Sequence, residues 1–500
     1  MAPVIIEYNT IINGYRNRRV CLLLIYISIF LVSFLFIKDL SALDYSLKKL
    51  LRQATGITDD DVKSAAGKKE ISLFDAYALA VQKTERMAIE GENSIQAQER
   101  KLQAIESFLP YFSVRANLAL PLPDKNYVSL ARSAVSLYLR QPIFTGLKEV
   151  SRMQSAWSEG RINEYQLNQG AYQLLMEVGV AYYSVLFAER DLKNNEELLD
   201  LHNKTLAELQ RRVGIGRSRQ SEILRTSAQI NALQARIKSL RTTRDHARLV
   251  LATLIGIEAD YAIADSPGPD NPVYTAEDTQ KLVENRWDVK AAKEQIESAR
   301  AGVISAYGAH LPSVYLEGSY VIDQGKQYKV DRVKQGLQMG ISPNPVSAFA
   351  SGYLNNGIPK RTRDYYFSIG AELPIFGGDI TFAKVREANS IKRQAELYYT
   401  QMLRVARQDI TDSFQVWESS KIELEAYRKA LTYAEENNRV VAGEYRLNLV
   451  TILDVLTALT SLQSARYDYE RALLQMKLYR IRLGIATNEF SGDKIRTLNQ

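Results

Sequence analysis

The chain has 500 residues, 46% hydrophobic and 24% charged, with a formal net charge of +7 and a mean hydropathy of −0.23. These values exclude a bundle of membrane-spanning helices, and so weak a charge over this length is no nucleic-acid footprint. A single cysteine, Cys21, leaves no disulfide framework. Only residues 20–37 form an apolar run long enough to enter a membrane. They follow Arg16, Arg18 and Arg19 and precede the small-residue exit Leu40-Ser41-Ala42. That order predicts a secretory signal peptide over 1–42 rather than a retained anchor. A lipoprotein cysteine would follow the run, and Cys21 stands at its start, which argues against a lipid anchor.

Residues 43–70 read as a polar N-terminal segment with the acidic turn Asp59-Asp60-Asp61. Ser72 and Asp75 have capping-box spacing and start a helix expected to run to Phe108, where Pro110 stops it. The next stretch alternates. Phe112, Val114, Ala116, Leu118 and Leu120 share one face, with Ser113, Arg115 and Asn117 on the other. Val135, Leu137 and Leu139 alternate with Ser136, Tyr138 and Arg140 in a second strand. Gly146 then opens a helix expected to run to Val213, about 67 residues without a proline and about 100 Å long. Gly214 and Gly216 punctuate its end. A return helix carries Ile223, Ile230, Leu233, Ile237, Leu240, Ala247 and Leu251 at three-four spacing, the pattern of a coiled-coil seam.

The sequence then repeats itself. "Leu109-Pro110" is answered by "Leu311-Pro312", and "Pro142-Ile143-Phe144-Thr145-Gly146" by "Pro374-Ile375-Phe376-Gly377-Gly378". Each Leu-Pro ends a helix and starts a strand; each Pro-Ile-Phe-x-Gly ends a strand and starts a long helix. This internal duplication spans 71–256 and 279–484, joined by a proline-rich linker over 257–278 and followed by a polar tail over 485–500. In the second copy Val314, Leu316, Tyr320 and Ile322, then Phe367, Ile369, Ala371 and Leu373, form the apolar strand faces. A long helix follows from Thr381 to Tyr445. Val455, Leu459, Leu462, Tyr469, Leu473 and Met476 mark its return helix. Residues 325–363, rich in glycine and with Pro343, Pro345 and Pro359, are an insertion absent from the first copy.

Four alternating strands of about ten residues suit tilted crossings of a bilayer, apolar toward lipid and polar toward a lumen. Taken singly, each also suits a half-buried strand of a soluble sheet. The signal peptide favours the membrane. Four strands cannot close a barrel, and open sheet edges are not tolerated in lipid. Copies must therefore pool strands: two give eight, barely wide enough for side chains, and three give twelve with a water-filled lumen. The insertion 325–363 would then be an extracellular loop.

With this order of repeat, Leu-Pro entries and Pro-Ile-Phe-x-Gly exits, the chain resembles the TolC-like outer-membrane efflux and secretion channels over about residues 71–484. "Asn285-Arg286-Trp287-Asp288-Val289", "Val180-Ala181-Tyr182-Tyr183" and "Thr451-Ile452-Leu453-Asp454-Val455-Leu456" support it. The resemblance implies a mainly α fold with a small membrane β-sheet. It implies a homotrimer with a shared twelve-stranded barrel in outer-membrane lipid and a periplasmic helical tunnel. It also implies docking to an inner-membrane pump, of the RND or ABC type, through a periplasmic adaptor protein. The implied location is the outer membrane of a Gram-negative-type bacterium, reaching into the periplasm. The implied function is a passive exit duct of a tripartite efflux pump or a type I secretion system.

Members of that family close the periplasmic end with helix turns held by a tyrosine, an arginine and polar links, around an acidic ring. By resemblance, Tyr445 stands at the tyrosine and Asp454 at a ring aspartate. Thr457 stands where a second aspartate is found, and Val450 replaces the arginine. Ser221 and Glu222 occupy a Thr-Asp position in the first copy. The same residues have a local reading: Thr451 and Asp454 also make a capping box, and Glu222 in a first helical turn complements the helix dipole. Arg211, Arg212, Arg217 and Arg219 cluster at the other turn, as an adaptor contact or as a solvated basic face.

No enzyme is legible. His202, His246 and His310 lack metal-ligand spacing, and no phosphate loop or nucleophile elbow occurs. No cofactor is expected. The rival from another class is a membrane-anchored structural or sensory coiled-coil protein, against which the alternating strands and the duplication argue.

Overall fold

The computed structural model describes residues 47–117, 134–258, 261–265, 279–324, 365–375, 379–490 and 495. The signal peptide, the insertion 325–363, Leu118 and Leu120, Phe376 to Gly378 and most of the linker and tail lie outside the described residues.

Ten helices and six strands follow one another among them. The segment expected to be a polar lead-in forms two helices, α1 (Leu47–Thr55) and α2 (Asp59–Ala66). The acidic run sits in the first turn of α2, where three carboxylates face the positive end of the helix dipole. Thr58 and Asp61 close a capping box there. Leu50, Ile57, Val62 and Ala65 are buried and join the main core, which is why this segment is ordered.

The duplication is close in the numbers. The first copy runs β1 (Glu70–Ile71), α3 (Leu73–Lys83), α4 (Glu85–Glu106), β2 (Tyr111–Asn117), β3 (Ala134–Thr145), α5 (Lys148–Gly214) and α6 (Gln220–Ile255). The second runs β4 (Ala262–Ile263), α7 (Thr279–Asn285), α8 (Trp287–Gly308), β5 (Ser313–Gln324), β6 (Tyr365–Glu372), α9 (Ile380–Arg446) and α10 (Ile452–Ala486). The long helices have 67 residues each, and α4 and α8 have 22 each. Lys148 and Gly214 map onto Ile380 and Arg446, a constant offset of 232 residues.

One expected helix is broken. The helix begun by the Ser72–Asp75 capping box ends at Lys83, and a new one starts at Glu85. Thr84 between them is extended, with φ −82° and ψ 122°. Its hydroxyl donates to Leu254 O at 3.3 Å, near the end of α6. Gly256 lies against the Lys83 side chain, so the end of the return helix abuts the break. The second copy breaks at the matching place, Arg286. Its guanidinium bonds Asp288 at 2.7 Å and Asp409 at 2.6 Å, and Asn488 Nδ2 donates to Asn285 O at 2.8 Å. In each copy the short helix pair and the return helix therefore meet end to end beside the long helix.

The chain forms two compact units. The smaller contains a four-stranded antiparallel sheet in the order β2-β3-β5-β6, with one strand from each copy at its edges. Its register sets Phe112 opposite Leu139, Val114 opposite Leu137, Leu137 opposite Tyr320, Leu316 opposite Ile369 and Gly318 opposite Phe367. The apolar sets of all four strands thus share one face, as the alternation predicts. That face is exposed: Val114 is 65% and Ile369 73% accessible. The opposite face is stitched by side chains. Tyr138 donates to Glu317 at 2.5 Å, and the guanidinium of Arg115 lies 3.4 Å from the Tyr138 ring centre. Pro142, which has no N–H for the ladder, coincides with a register shift in β3.

Where β3 turns into α5, Gly146 has φ +68° and Leu147 φ 65°. A Cβ on Gly146 would stand 2.1 Å from Gly308 O, and one on Gly308 1.9 Å from Gly146 O. The two backbones touch, so neither position accepts a side chain.

The larger unit holds the main core. Tyr77, Leu174, Leu175, Val178, Tyr182, Leu251 and Ile255 are fully buried in it. Tyr77 donates to Ala171 O at 3.2 Å and Tyr182 to Ile71 O at 3.2 Å, which satisfies the two deepest hydroxyls. The pair β1–β4, parallel and two residues long, joins the starts of the two copies. It is too short for any periodicity to announce.

Candidate functional site

The two turns between long and return helices lie together in the larger unit. The first turn ends α5 at Gly214, and Gly216 adopts φ +73°. Arg217 N donates to Arg212 O at 2.8 Å, closing the last turn of the helix. The second ends α9 at Arg446. Asn448, which the 232-residue offset maps onto Gly216, adopts φ 64°. Asparagine is the residue that tolerates this left-handed geometry best after glycine.

Arg212 joins the turns. Its Nη1 donates to Asn448 Oδ1 at 2.6 Å and its Nη2 to Arg446 O at 3.0 Å. Its Nε donates to Glu208 at 3.1 Å. The guanidinium also lies 4.4 Å from the Tyr445 ring centre. Arg212 is only 9% exposed, so it is not available at the surface. Its place was legible: Leu198, His202, Thr205, Leu209 and Arg212 fall at four-three spacing, the buried phase of α5. Grouping it with its sequence neighbours hides that phase.

Tyr445 is buried in a second core cluster with Leu209, Leu233, Ile237, Val455 and Leu459. Its hydroxyl is buried without a hydrogen-bond partner among the described residues. The ring therefore makes the contact with Arg212, and the hydroxyl bridges nothing. Val450 packs at the edge of the same cluster.

Thr451 and Asp454 form the expected capping box at the start of α10. Asp454 Oδ2 accepts from Thr451 N at 2.8 Å and from Thr451 Oγ1 at 2.7 Å. The bonds from Thr451 hold the carboxyl below the usual aspartate range, so it stays ionised in this exposed position. Glu222 maps onto Asp454 by the repeat offset and lies in the first turn of α6, half-buried. The first copy has Arg219 at the N-cap, without a side-chain cap. Ser221 and Thr457 are exposed, and the Thr457 hydroxyl donates to Leu453 O at 2.8 Å. Arg211, Arg217 and Arg219 are exposed, Arg211 with a 2.9 Å ion pair to Glu208. Large apolar residues are exposed beside them: Ile215, Leu447, Leu449 and Leu453.

His202, one turn above Thr205, is buried with its Nδ1 unpartnered, and burial pushes its pKa down. No group of three or more His, Cys, Asp or Glu residues that could hold a metal ion occurs among the described residues.

Residues 279–489 match the family model described as outer membrane efflux protein. Over 387 residues the chain is 22% identical to "Outer membrane protein TolC" of Escherichia coli (strain K12), covering 75% of this chain and 73% of that protein. The fold is that of solved outer-membrane channels. The channel OprN superposes with a TM-score of 0.69 at 16% identity, covering 88% of this chain and 97% of that one. VceC of Vibrio cholerae gives 0.66 at 18% identity, covering 84% and 96%. The resemblance to TolC-like channels read from the sequence is thereby borne out.

Proposed function

We infer that this chain, a TolC-like outer-membrane efflux channel protein by resemblance, is the passive exit duct of a tripartite efflux pump or a type I secretion system. It resides in the outer membrane and reaches into the periplasm. The observation that carries the reading is the small sheet. Its apolar face is exposed on all four strands, and its two edges, β2 and β6, have no partner strand among the described residues. In water such a face and such edges are a liability; in lipid, with strands pooled from three copies, they are a barrel wall. A homotrimer supplies twelve strands. Residues 325–363 join the ends of β5 and β6 and would then face the outside of the cell.

The paired turns would form the periplasmic mouth. Three copies of Asp454 and Glu222 would place up to six carboxylates around it, and rings of one charge select ions by sign. Arg212 and Tyr445 would hold the two turns of each copy together, so that opening requires breaking that contact. Arg211, Arg217 and Arg219, with Ile215 and Leu449, remain exposed and would meet the periplasmic adaptor, which in turn engages the inner-membrane pump.

Planar bilayer recording of the purified chain tests the reading. Discrete, cation-preferring conductance steps are expected. Absence of conductance, with fractionation into the inner membrane, would overturn it. A tag near Asn355 should be labelled on intact cells; labelling only after permeabilisation would invert the topology.

A further inference from the structure

Histidine is the side chain whose ordinary charge change falls near neutral pH, and this chain has three. His246 is exposed on α6. His310 is half-buried in the smaller unit, its ring 4.8 Å from that of Phe382. His202 differs from both. It is 6% exposed, and its Nδ1 has no hydrogen-bond partner among the described residues.

Its place in the helix stack gives that burial a consequence. On α5 it lies between Leu198 and Leu209, in the same buried phase that carries Arg212 to the second turn. Leu198 and Leu209 pack with Leu233 and Ile237 of α6 and with Leu456 and Leu459 of α10. The pairs Glu196–Arg241 and Glu189–Arg248 set His202 level with Ala235 of α6. The pairs Asn195–Gln463 and Arg190–Glu470 set it level with residues 456–458 of α10.

No carboxylate is left at this level to receive a charged imidazole. On α5, Glu197 pairs with Arg466, Asp200 with Lys204, and Glu208 with Arg211 and Arg212. On α6 the charged neighbours are Arg236 and Lys238, both basic, and the two acids Glu222 and Asp245 stand ten or more residues from Ala235. The nearest acid of α10, Asp454, is exposed and bonded to Thr451. On α9, which Arg466 reaches through Glu435, the charged residues near this level are Arg439, paired with Glu436, then Glu444 and Arg446 beside Tyr445. Burial alone pushes the His202 pKa down.

We propose that His202 is an acid-sensitive release for the paired turns, holding α5 against α6 and α10 while neutral and favouring their separation once it is protonated. Separation there draws Arg212 away from Asn448 and Arg446, the contact that joins the turns. Neutral and buried in the joined arrangement, His202 takes a proton readily only where the helices part and water reaches it. The joined state is therefore fully favoured above the ordinary histidine value, about 6.5, and loses ground as pH falls below it. From pH 7.5 to pH 5 that shifts the equilibrium by at most about 30-fold per copy. The proposal rests on the reading of the turns as the periplasmic mouth.

The test uses the full-length protein at pH 7.5 and pH 5, read by open probability in planar bilayers and by thermal unfolding. The parent should open more often and melt at a lower temperature in acid. His202→Phe and His202→Gln, which keep the bulk without the titrating group, should lose most of both responses, and His246→Gln should keep them. Two substitutions at the site guard against one that does not fold. An acid response in both His202 variants equal to the parent's would overturn the proposal, as would a parent that conducts alike at the two pH values; either result leaves the duct reading standing. No conductance at any pH would sink the duct reading, and the melting comparison would still decide whether His202 carries the acid response.

Discussion

Arg212 Nη1 and Asn448 Oδ1 are 2.6 Å apart across 236 positions of chain, and that bond ties the turn of one repeat to the turn of the other. A guanidinium suits the place because one planar group donates to Asn448, the Arg446 carbonyl and Glu208 together while its face meets Tyr445. Arg212→Lys keeps the charge and loses the fork. It should raise open probability in bilayers nearly as much as Arg212→Ala. A double-mutant cycle between Arg212→Ala and Asn448→Ala, read by thermal unfolding, should give a coupling of about 0.5–3 kcal/mol. Strict additivity would show that the bond does not link the turns.

Tyr445 separates ring from hydroxyl. Its hydroxyl is buried without a partner, so Tyr445→Phe should leave conductance and melting temperature near those of the parent, or raise stability slightly. Tyr445→Ala removes the ring beneath Arg212 and opens a cavity in the cluster around Leu209 and Val455. It should destabilise by about 3–5 kcal/mol and increase conductance. Equal effects of the two substitutions would restore the hydroxyl as the latch.

Asp454 is held below the usual aspartate range by Thr451, so its contribution to the capping box is fully present above the unfolded-state value, about 3.9. It is lost only as pH falls through the lower folded value. Gating and selectivity should therefore not change on account of Asp454 between pH 7 and pH 5. Asp454→Asn keeps much of the cap and removes the charge. It should move the reversal potential in a salt gradient toward zero. An unchanged reversal potential would leave capping as the residue's whole purpose.

Gly146 makes the sharpest stability prediction. Gly146→Ala meets Gly308 O at 2.1 Å in a left-handed conformation, so loss of folded protein in the membrane fraction is expected, at a cost of several kcal/mol (roughly 4 or more). Gly214→Ala, with nothing within 4 Å of its added methyl group, should fold normally. Equal expression of both variants would contradict the close crossing of the two backbones.

Much of the fold is legible because it repeats. Leu109-Pro110 and Leu311-Pro312 mark the strand entries, and the proline-free stretches after Gly146 and Gly378 place the two long helices within two residues of Lys148–Gly214 and Ile380–Arg446. The breaks at Thr84 and Arg286 are not legible in that way. Neither has a glycine or proline; each is imposed by the end of a return helix meeting it, a contact distant in sequence. The Thr451–Asp454 capping box is a local device and reads directly. Arg212 reads only through its helical phase: it and its three arginine neighbours look alike in sequence, and that phase separates the one that points inward from the three that face water.

The central claim is that the chain works as a trimeric pore in the outer membrane, with each copy supplying four strands to one wall. Native mass spectrometry of the full-length protein, extracted from the outer-membrane fraction in mild detergent, tests it most directly. The account predicts a single species of three copies that persists until heating and then collapses to monomer. A stable monomer, its strand edges satisfied within one chain, would contradict it.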